Sequence, residues 1–237
     1  MLEYTRQDLI MEYLREHRTA TVAHLAKRFF ASEATVRRDL TQLEQKGMLK
    51  RLHGGAVLLD DIQSELPLYM REQQHVPEKK AIAAKAASYL QDGQVIFLDA
   101  SSTVFFLIPH LEKYRNLTVI TNGVKTAEGL SRLPHRIFST GGLLLHNSYA
   151  YVGPYAEEFI RSFNADVFFF SGRGILESGQ ITDASAEETH IRKVMLQQSR
   201  THVFLCDRSK LGGSYTYNLG NANDMDDWIM NDEPGQA

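Results

Sequence analysis

The sequence predicts two unlike domains in one chain: a small α+β module of three helices and a β-hairpin, then a larger α/β domain with a mostly parallel sheet. Three observations predict this. Three short helical patterns crowd residues 1–58 and end in apolar stretches that flank a Gly-Gly pair. Farther along, helical patterns alternate with apolar runs, as expected where a parallel sheet is covered on both faces. Charge divides along the same line. Residues 1–58 hold ten lysines and arginines against seven acids, a net +3, while the whole chain carries −3, which leaves −6 for the rest. Positive charge is concentrated where an anionic polymer would be met, and the remainder repels one.

Composition sets the outer bounds. With 237 residues, 43% of them apolar and 23% charged, the chain suits a soluble globular protein. The apolar runs Val104–Ile108 and Val167–Phe170 are far too short to span a bilayer, and residues 1–10 contain no signal-peptide core. One cysteine, Cys206, excludes an internal disulfide framework and fits a reducing cytoplasm. The nine histidines show no metal-like spacing, and His190 reads as a surface residue. No metal and no cofactor is expected.

Within the first module, Leu9, Ile10, Tyr13 and Leu14 recur at helical spacing and predict a helix over about 5–17. Thr21 opens a short second helix with Val22, Leu25, Ala26 and Phe29 inward. After the break Phe30-Ala31-Ser32, Ser32 caps a third helix and Glu33 lies near its positive end. Val36, Leu40 and Leu43 form one narrow inward stripe of that helix. The opposite face carries Ala34, Arg38, Thr41 and Gln45, with Thr35, Arg37 and Gln42 at its flanks. Gly47 ends the helix. Leu49–Leu52 and Ala56–Leu59 then read as strands around His53-Gly54-Gly55, whose glycine pair supplies positive φ.

These elements predict a winged helix-turn-helix with double-stranded DNA as its expected partner. Ser32, Ala34, Thr35, Arg37, Arg38, Thr41 and Gln42 are the candidates to face a major groove, where arginine holds guanine or clamps phosphate. Lys50, Arg51 and His53 would make the wing a backbone-contacting finger. The competing reading is a three-helix protein-interaction module with a solvated basic face. It accounts for neither the short second helix, nor the Arg37-Arg38 pair, nor the Gly-Gly wing.

Residues 59–77 contain Asp60, Asp61, Gln63, Ser64, Glu65, Pro67 and Pro77, which break periodicity and predict a linker with little regular structure. Any signal between domains must pass through it. The second domain, residues 78–237, starts with an alanine-rich helix over Glu78–Leu90. Strands follow at Val95–Leu98, Leu117–Thr121, Arg136–Ser139, Val167–Phe170 and His202–Leu205, with helices over Val104–Lys113, Val124–Arg132 and Ala184–Gln198. In such sheets ligands bind at the carboxyl ends of strands. Polar residues collect there: Asp99, Ser101, Ser102 and Thr103, then Thr121 and Asn122, then Gly141 and Gly142, then Arg173, then Lys210. Hydroxyls and free N–H groups at a helix start suit a phosphate.

The run Ser32-Glu33-Ala34-Thr35-Val36-Arg37-Arg38-Asp39-Leu40, followed by Leu43-Glu44, Gly47 and Arg51-Leu52-His53-Gly54-Gly55-Ala56, closely resembles the DeoR-type bacterial repressors, and the likeness continues to about residue 230. The resemblance implies a sensor domain similar to ribose-5-phosphate isomerase relatives that binds a phosphorylated sugar. It therefore implies a homo-oligomeric repressor, dimer or tetramer, of a sugar or nucleoside utilisation operon. On that basis Asp99, Ser101, Ser102, Thr103, Thr121, Asn122, Gly141, Gly142, Arg173 and Lys210 form the candidate effector shell. The chain departs from the family pattern at four places. It has Asp99-Ala100-Ser101-Ser102-Thr103-Val104 for Asp-Ala-Gly-Ser-Thr-Thr, Ser171 for a glycine, Arg173 for a smaller polar residue, and Arg192 for a lysine. It also ends soon after Trp228-Ile229-Met230-Asn231-Asp232, where the family continues through another helix and strand, so the carboxyl terminus is expected to be truncated or divergent.

The alternative is a sugar-phosphate isomerase or deaminase-like enzyme carrying a DNA-binding appendage, with Asp99 and Lys210 as base and electrophile. No acid–base pair of convincing spacing supports it, and no catalytic residue is assigned.

Overall fold

A computed structural model describes residues 6–46, 48–58 and 68–231. The chain divides into two compact units, Met1–Gln74 and His75–Ala237. The first unit runs α1 (Arg6–His17), β1 (Thr19–Thr21), α2 (Val22–Arg28), α3 (Glu33–Gln45), β2 (Leu49–Leu52), β3 (Gly55–Leu58) and α4 (Leu68–Arg71). Ile10, Leu14, Leu25, Val36, Leu40, Leu43 and Leu49 close one core, so the stripe predicted on α3 does face inward. Thr21 caps α2 by accepting from the His24 N–H, and Ser32 caps α3 by accepting from that of Thr35.

Three expectations for this unit need correction. The wing is a three-stranded sheet in the order β1-β3-β2, with Thr19 opposite Val57; three residues are too few to show a period, so β1 escaped the sequence. Only Gly54 adopts positive φ, at +85°, whereas Gly55 already pairs in β3 opposite Thr21 and Leu52. Residues 68–77 are largely helical rather than irregular. Pro77 lies in the first turn of the next helix, where a missing N–H costs nothing, so it starts the helix instead of breaking it. Gly47, Leu59 and linker residues 60–67 lie outside the described residues, as does Asp232.

The second unit begins with α5 (Val76–Ala86) and β4 (Val95–Leu98). A 3-10 turn (Val104–Leu107) leads into α6 (Ile108–Leu111), then β5 (Thr118–Thr121), α7 (Val124–Leu130) and β6 (Arg136–Ser139). The helix expected over 104–113 is split because Pro109 sits in the first turn of α6 and cannot donate to a longer α-helix. A hairpin, β7 (Leu143–Leu145) and β8 (Ala150–Val152), precedes α8 (Pro154–Arg161) and β9 (Ala165–Phe170). Then come β10 (Gly174–Ile175), β11 (Gln180–Asp183), α9 (Ala186–Gln197), β12 (Ser199–Cys206), β13 (Tyr217–Asn221) and β14 (Asp227–Met230).

Six strands form a parallel sheet in the order β14-β12-β9-β4-β5-β6, and β10, β11 and β13 form a separate antiparallel one. Alternation along β4 sends Ile96 and Leu98 to one face and Phe97 to the other. On the first face they meet Ile82, Ala86, Leu107, Leu111 and Leu130 of α5, α6, α7 and the turn. On the second, Phe97, Phe168, Phe170 and Phe204 meet Ile160, Ile191 and Met195 of α8 and α9. From β4 the chain winds outward to β5 and β6, and from β9 outward to β12 and β14. The strand order thus reverses between β4 and β9, which opens a crevice at their carboxyl ends.

Candidate functional site

The residues expected to face DNA lie on α3 and the wing. Ser32 and Thr35 are occupied with each other at the cap, their hydroxyls 2.8 Å apart. Arg37 is paired with Glu33 one turn earlier at 2.6 Å. Arg38 is exposed and has no side-chain partner among the described residues. Thr41 donates to the Arg37 carbonyl and accepts from Arg51 Nη1 at 2.5 Å, while Glu44 accepts the Arg51 backbone N–H. Gln42 accepts from Gln7 of α1. Ala34, Lys50 and His53 are exposed. The surface therefore separates into free cations (Arg38, Lys50) and polar groups that lock helix to wing (Thr41, Arg51). Beneath it the Asp39 carboxylate, buried, holds Arg6 of α1 at 2.5 Å; that hydrogen bond keeps the Arg6 guanidinium charged and ties α1 to α3.

In the second unit the carboxyl ends of the parallel strands bring the predicted residues to one edge. Asp99 follows β4, Thr121 ends β5, Gly141 and Gly142 follow β6, Arg173 follows β9 and Lys210 follows β12. Asp99, expected to meet a ligand, is 1% exposed. Its oxygens accept from the N–H of Ser101 and of Ser171 and from Arg192 Nε at 2.7 Å. Ser101 and Thr121 also act locally, accepting from the N–H of Val104 and of Gly123. Gly142 has φ +112°, and a Cβ there would stand 2.7 Å from the Val152 carbonyl, so this position serves the backbone. Gly141, at φ +64°, faces open space. Arg173 is half-buried and its N–H donates to Thr182.

Arg192 is enclosed. Its Nε, Nη1 and Nη2 bond Asp99, Asp183 and Glu188 at 2.7, 2.9 and 3.0 Å. Burial works against its charge, but Asp183, Asp99 and Glu188 outweigh burial and raise its pKa. The residue standing where the family has a lysine is thus a clamp joining β4, β11 and α9, with every guanidinium nitrogen directed at a carboxylate.

Two lysines bond hydroxyls at this edge. Lys210 Nζ donates to Ser171 Oγ at 2.6 Å and lies 3.9 Å from Asp207. Burial alone would push the Asp207 carboxyl up, but Lys210, a hydrogen bond from Ser209, and the charges of His75 and Lys79 bring it below its ordinary value. Lys79 of α5 is buried, and its Nζ donates to Ser102 Oγ at 3.0 Å. Around this edge several buried polar atoms have no hydrogen-bond partner among the described residues: Thr103 Oγ1, Asn122 Oδ1, Ser148 Oγ and Glu188 Oε1. Buried polar groups are ordinarily satisfied, so such a cluster suits a polar ligand. Cys206, by contrast, is buried and its thiol is pushed up to about 11, which leaves it inert.

The sequence missed Lys79, Asp183, Glu188, Ser148 and Asp207. A usable signal existed for two of them. Lys79 shares the inward spacing of Ile82, Ala83 and Ala86, and Glu188 that of Ile191, Arg192 and Met195. A charged residue on an apolar stripe is buried and must be partnered.

Residues 6–61 match the DeoR-like helix-turn-helix domain, and residues 74–232 match the DeoR C terminal sensor domain. The chain belongs to the DeoR family. It is 33% identical to the HTH-type transcriptional regulator GolR of Listeria innocua serovar 6a, over all of this chain and 94% of that one. It is 30% identical to the L-fucose operon activator of Escherichia coli K12, over 98% and 96%. The chain has a likeness to ribose 5-phosphate isomerase from Plasmodium falciparum at 20% identity, a TM-score of 0.41 and coverage of 56% of this chain and 52% of that one. The DeoR-family chain is therefore a DNA-binding transcriptional regulator and not an enzyme, with an amino-terminal helix-turn-helix and a carboxyl-terminal α/β sensor domain on a six-stranded parallel sheet. No helix among the described residues is long and apolar enough to cross a membrane, and none of their acidic, histidine or cysteine side chains form a metal-holding group.

Proposed function

We propose that this DeoR-family regulator represses a sugar or nucleoside utilisation operon, and that a phosphorylated sugar at the sheet edge lowers its affinity for double-stranded operator DNA. The observation that carries this reading is Lys79. It is a buried ammonium hydrogen-bonded to Ser102, within the same edge as the unsatisfied Thr103 and Asn122 oxygens. Lys79 and Lys210 would neutralise the phosphate, while Ser102, Thr103 and Asn122 would bond phosphate or sugar oxygens. Glu188 and Ser148 would accept from or donate to hydroxyls. In this reading Asp99 and Arg192 form the floor, and Gly141, Gly142 and Arg173 form the rim. The regulator would work as a homo-oligomer, because two-fold symmetry lets paired heads read paired half-sites. The ligand can act only through unequal affinity for two states.

The test is a thermal-shift screen of the purified protein against pentose and hexose phosphates, followed by titration on duplex DNA. The expected result is a sugar phosphate that raises the melting temperature and weakens DNA binding, with both effects lost in Lys79→Met. Stabilisation with unchanged DNA affinity would overturn the inducer role.

A further inference from the structure

Leu68–Gln74 lies inside the stretch 59–77 that the sequence reads as a linker, and it belongs to the first unit. Leu68 is buried, and the Glu72 N–H closes a turn onto its carbonyl. The Tyr69 hydroxyl lies 3.3 Å from that of Thr19 on β1. Gln73 covers the tip of the wing: its Oε1 is 2.6 Å from where a Cβ on Gly54 would stand. Gly54 itself accepts from the Val22 N–H at the start of α2. The segment therefore bears on the wing sheet at its first strand and at its turn.

Immediately afterwards the second unit begins. His75 has a left-handed φ of 53° and precedes α5 without a side-chain cap. Lys79 donates its N–H to the His75 carbonyl and its ammonium to Ser102. Lys210 Nζ lies 3.9 Å from the Asp207 carboxylate. Only six positions of chain separate Gln73 from Lys79.

We infer that Leu68–Gln73 is a strap that positions the wing for DNA, and that the joint at His75 ties this strap to Lys79, so that an anion taken up at Lys79 changes the hold on the wing. The second half of this inference rests on the effector reading of the Lys79 site. An arriving phosphate competes with Ser102 for the Lys79 ammonium and, because the Lys79 N–H bonds the His75 carbonyl, pulls on both ends of the first turn of α5. The turn starts at a left-handed non-glycine residue, a conformation kept only while its surroundings hold it. Gln73 and Tyr69 act as positioning residues, since neither carries charge.

The test uses the full chain and a duplex that the wild-type protein selects from a random pool. Gln73→Ala and Tyr69→Phe remove no cation. Each should weaken binding by about tenfold and lower the slope of log affinity against log salt by about one, because the wing lysine no longer reaches its phosphate. Release of DNA by a pool of pentose and hexose phosphates should fade in the variants, while the shift in melting temperature given by the same pool stays. Unchanged affinity and slope in both variants overturn the strap. A variant that loses slope but still releases DNA normally overturns the tie to Lys79. If the wild-type protein does not respond to the pool, the effector reading falls and the tie with it, and the salt slope still decides the strap.

Discussion

Arg51 on β2 of the wing donates through its guanidinium to the hydroxyl of Thr41 on α3, 2.5 Å away. Glu44 on the same helix takes the Arg51 backbone N–H. The two elements proposed to meet DNA are thus fixed to each other beforehand, which would remove part of the ordering cost of binding. Thr41→Val deletes the acceptor. It should weaken duplex binding by roughly threefold to tenfold, yet change the unfolding free energy by no more than about 1 kcal/mol, because the bond is exposed. Anisotropy titration beside urea unfolding separates the two effects; a larger loss of stability than of DNA affinity would count against the tie.

The two neighbouring arginines of α3 should behave differently. Arg38 extends freely into solvent, whereas Arg37 is already paired with Glu33. Arg38→Ala should cost about 1–3 kcal/mol of specific binding, or flatten the salt slope by about one if its partner is a phosphate. Arg37→Ala should cost less. Binding measured across a range of salt concentrations distinguishes these outcomes, and a silent Arg38→Ala would remove that residue from the interface.

Arg192 offers a sharper stability test. Arg192→Met strands Asp99, Asp183 and Glu188 in the interior without their cation. The expected loss is about 3–5 kcal/mol, read as a lower urea midpoint of the full chain. Arg192→Lys should fall between, since an ammonium cannot reach three carboxylates in the geometry of a planar fork. A wild-type midpoint in Arg192→Met would show that the clamp contributes nothing.

Asp207 gives a pH prediction with a definite sign. Its carboxyl is held below the ordinary 3.8, against the effect of burial, by Lys210 above all. A group with a depressed folded pKa adds stability above its unfolded value and loses it as pH falls through its folded value. The sensor domain should keep this contribution down to about pH 4 and shed it below. Lys210→Met raises the folded value, so the acid transition followed by near-ultraviolet circular dichroism should begin at higher pH. An unmoved transition would refute the coupling.

Much of the architecture could be read in advance because it rests on local patterns. Val36, Leu40 and Leu43 mark the inward face of α3, Ser32 marks its start, and the runs Val95–Leu98 and Val167–Phe170 mark central strands. What escaped depends on partners far away in sequence. β1 is three residues long and exists because it pairs with β3, and β14 exists because β12 leaves an edge free. The hairpin β7–β8 has an exposed Leu143, which breaks the alternation that announces a strand. In the sensor site the polar loops were visible, whereas Lys79 and Glu188 announce themselves only by sharing the inward spacing of apolar residues on their helices. Asp99 was visible as a polar strand-end residue, but nothing in sequence brings Arg192 within reach of it.

The junction between β4 and β9 has a consequence for synthesis. Ile96 pairs with Val167, so the middle of the sheet cannot close until the chain between them has been made. Closing so long a loop is entropically slow compared with forming contacts between near neighbours. The core formed by Ile10, Leu25, Leu40 and Leu49 needs only the earliest part of the polypeptide. At ribosomal speeds of about 5–20 residues per second, several seconds pass between completion of the DNA-reading head and emergence of β9. During that interval the nascent chain has a finished head and an unfinished sheet, with the crevice beside Asp99 still absent.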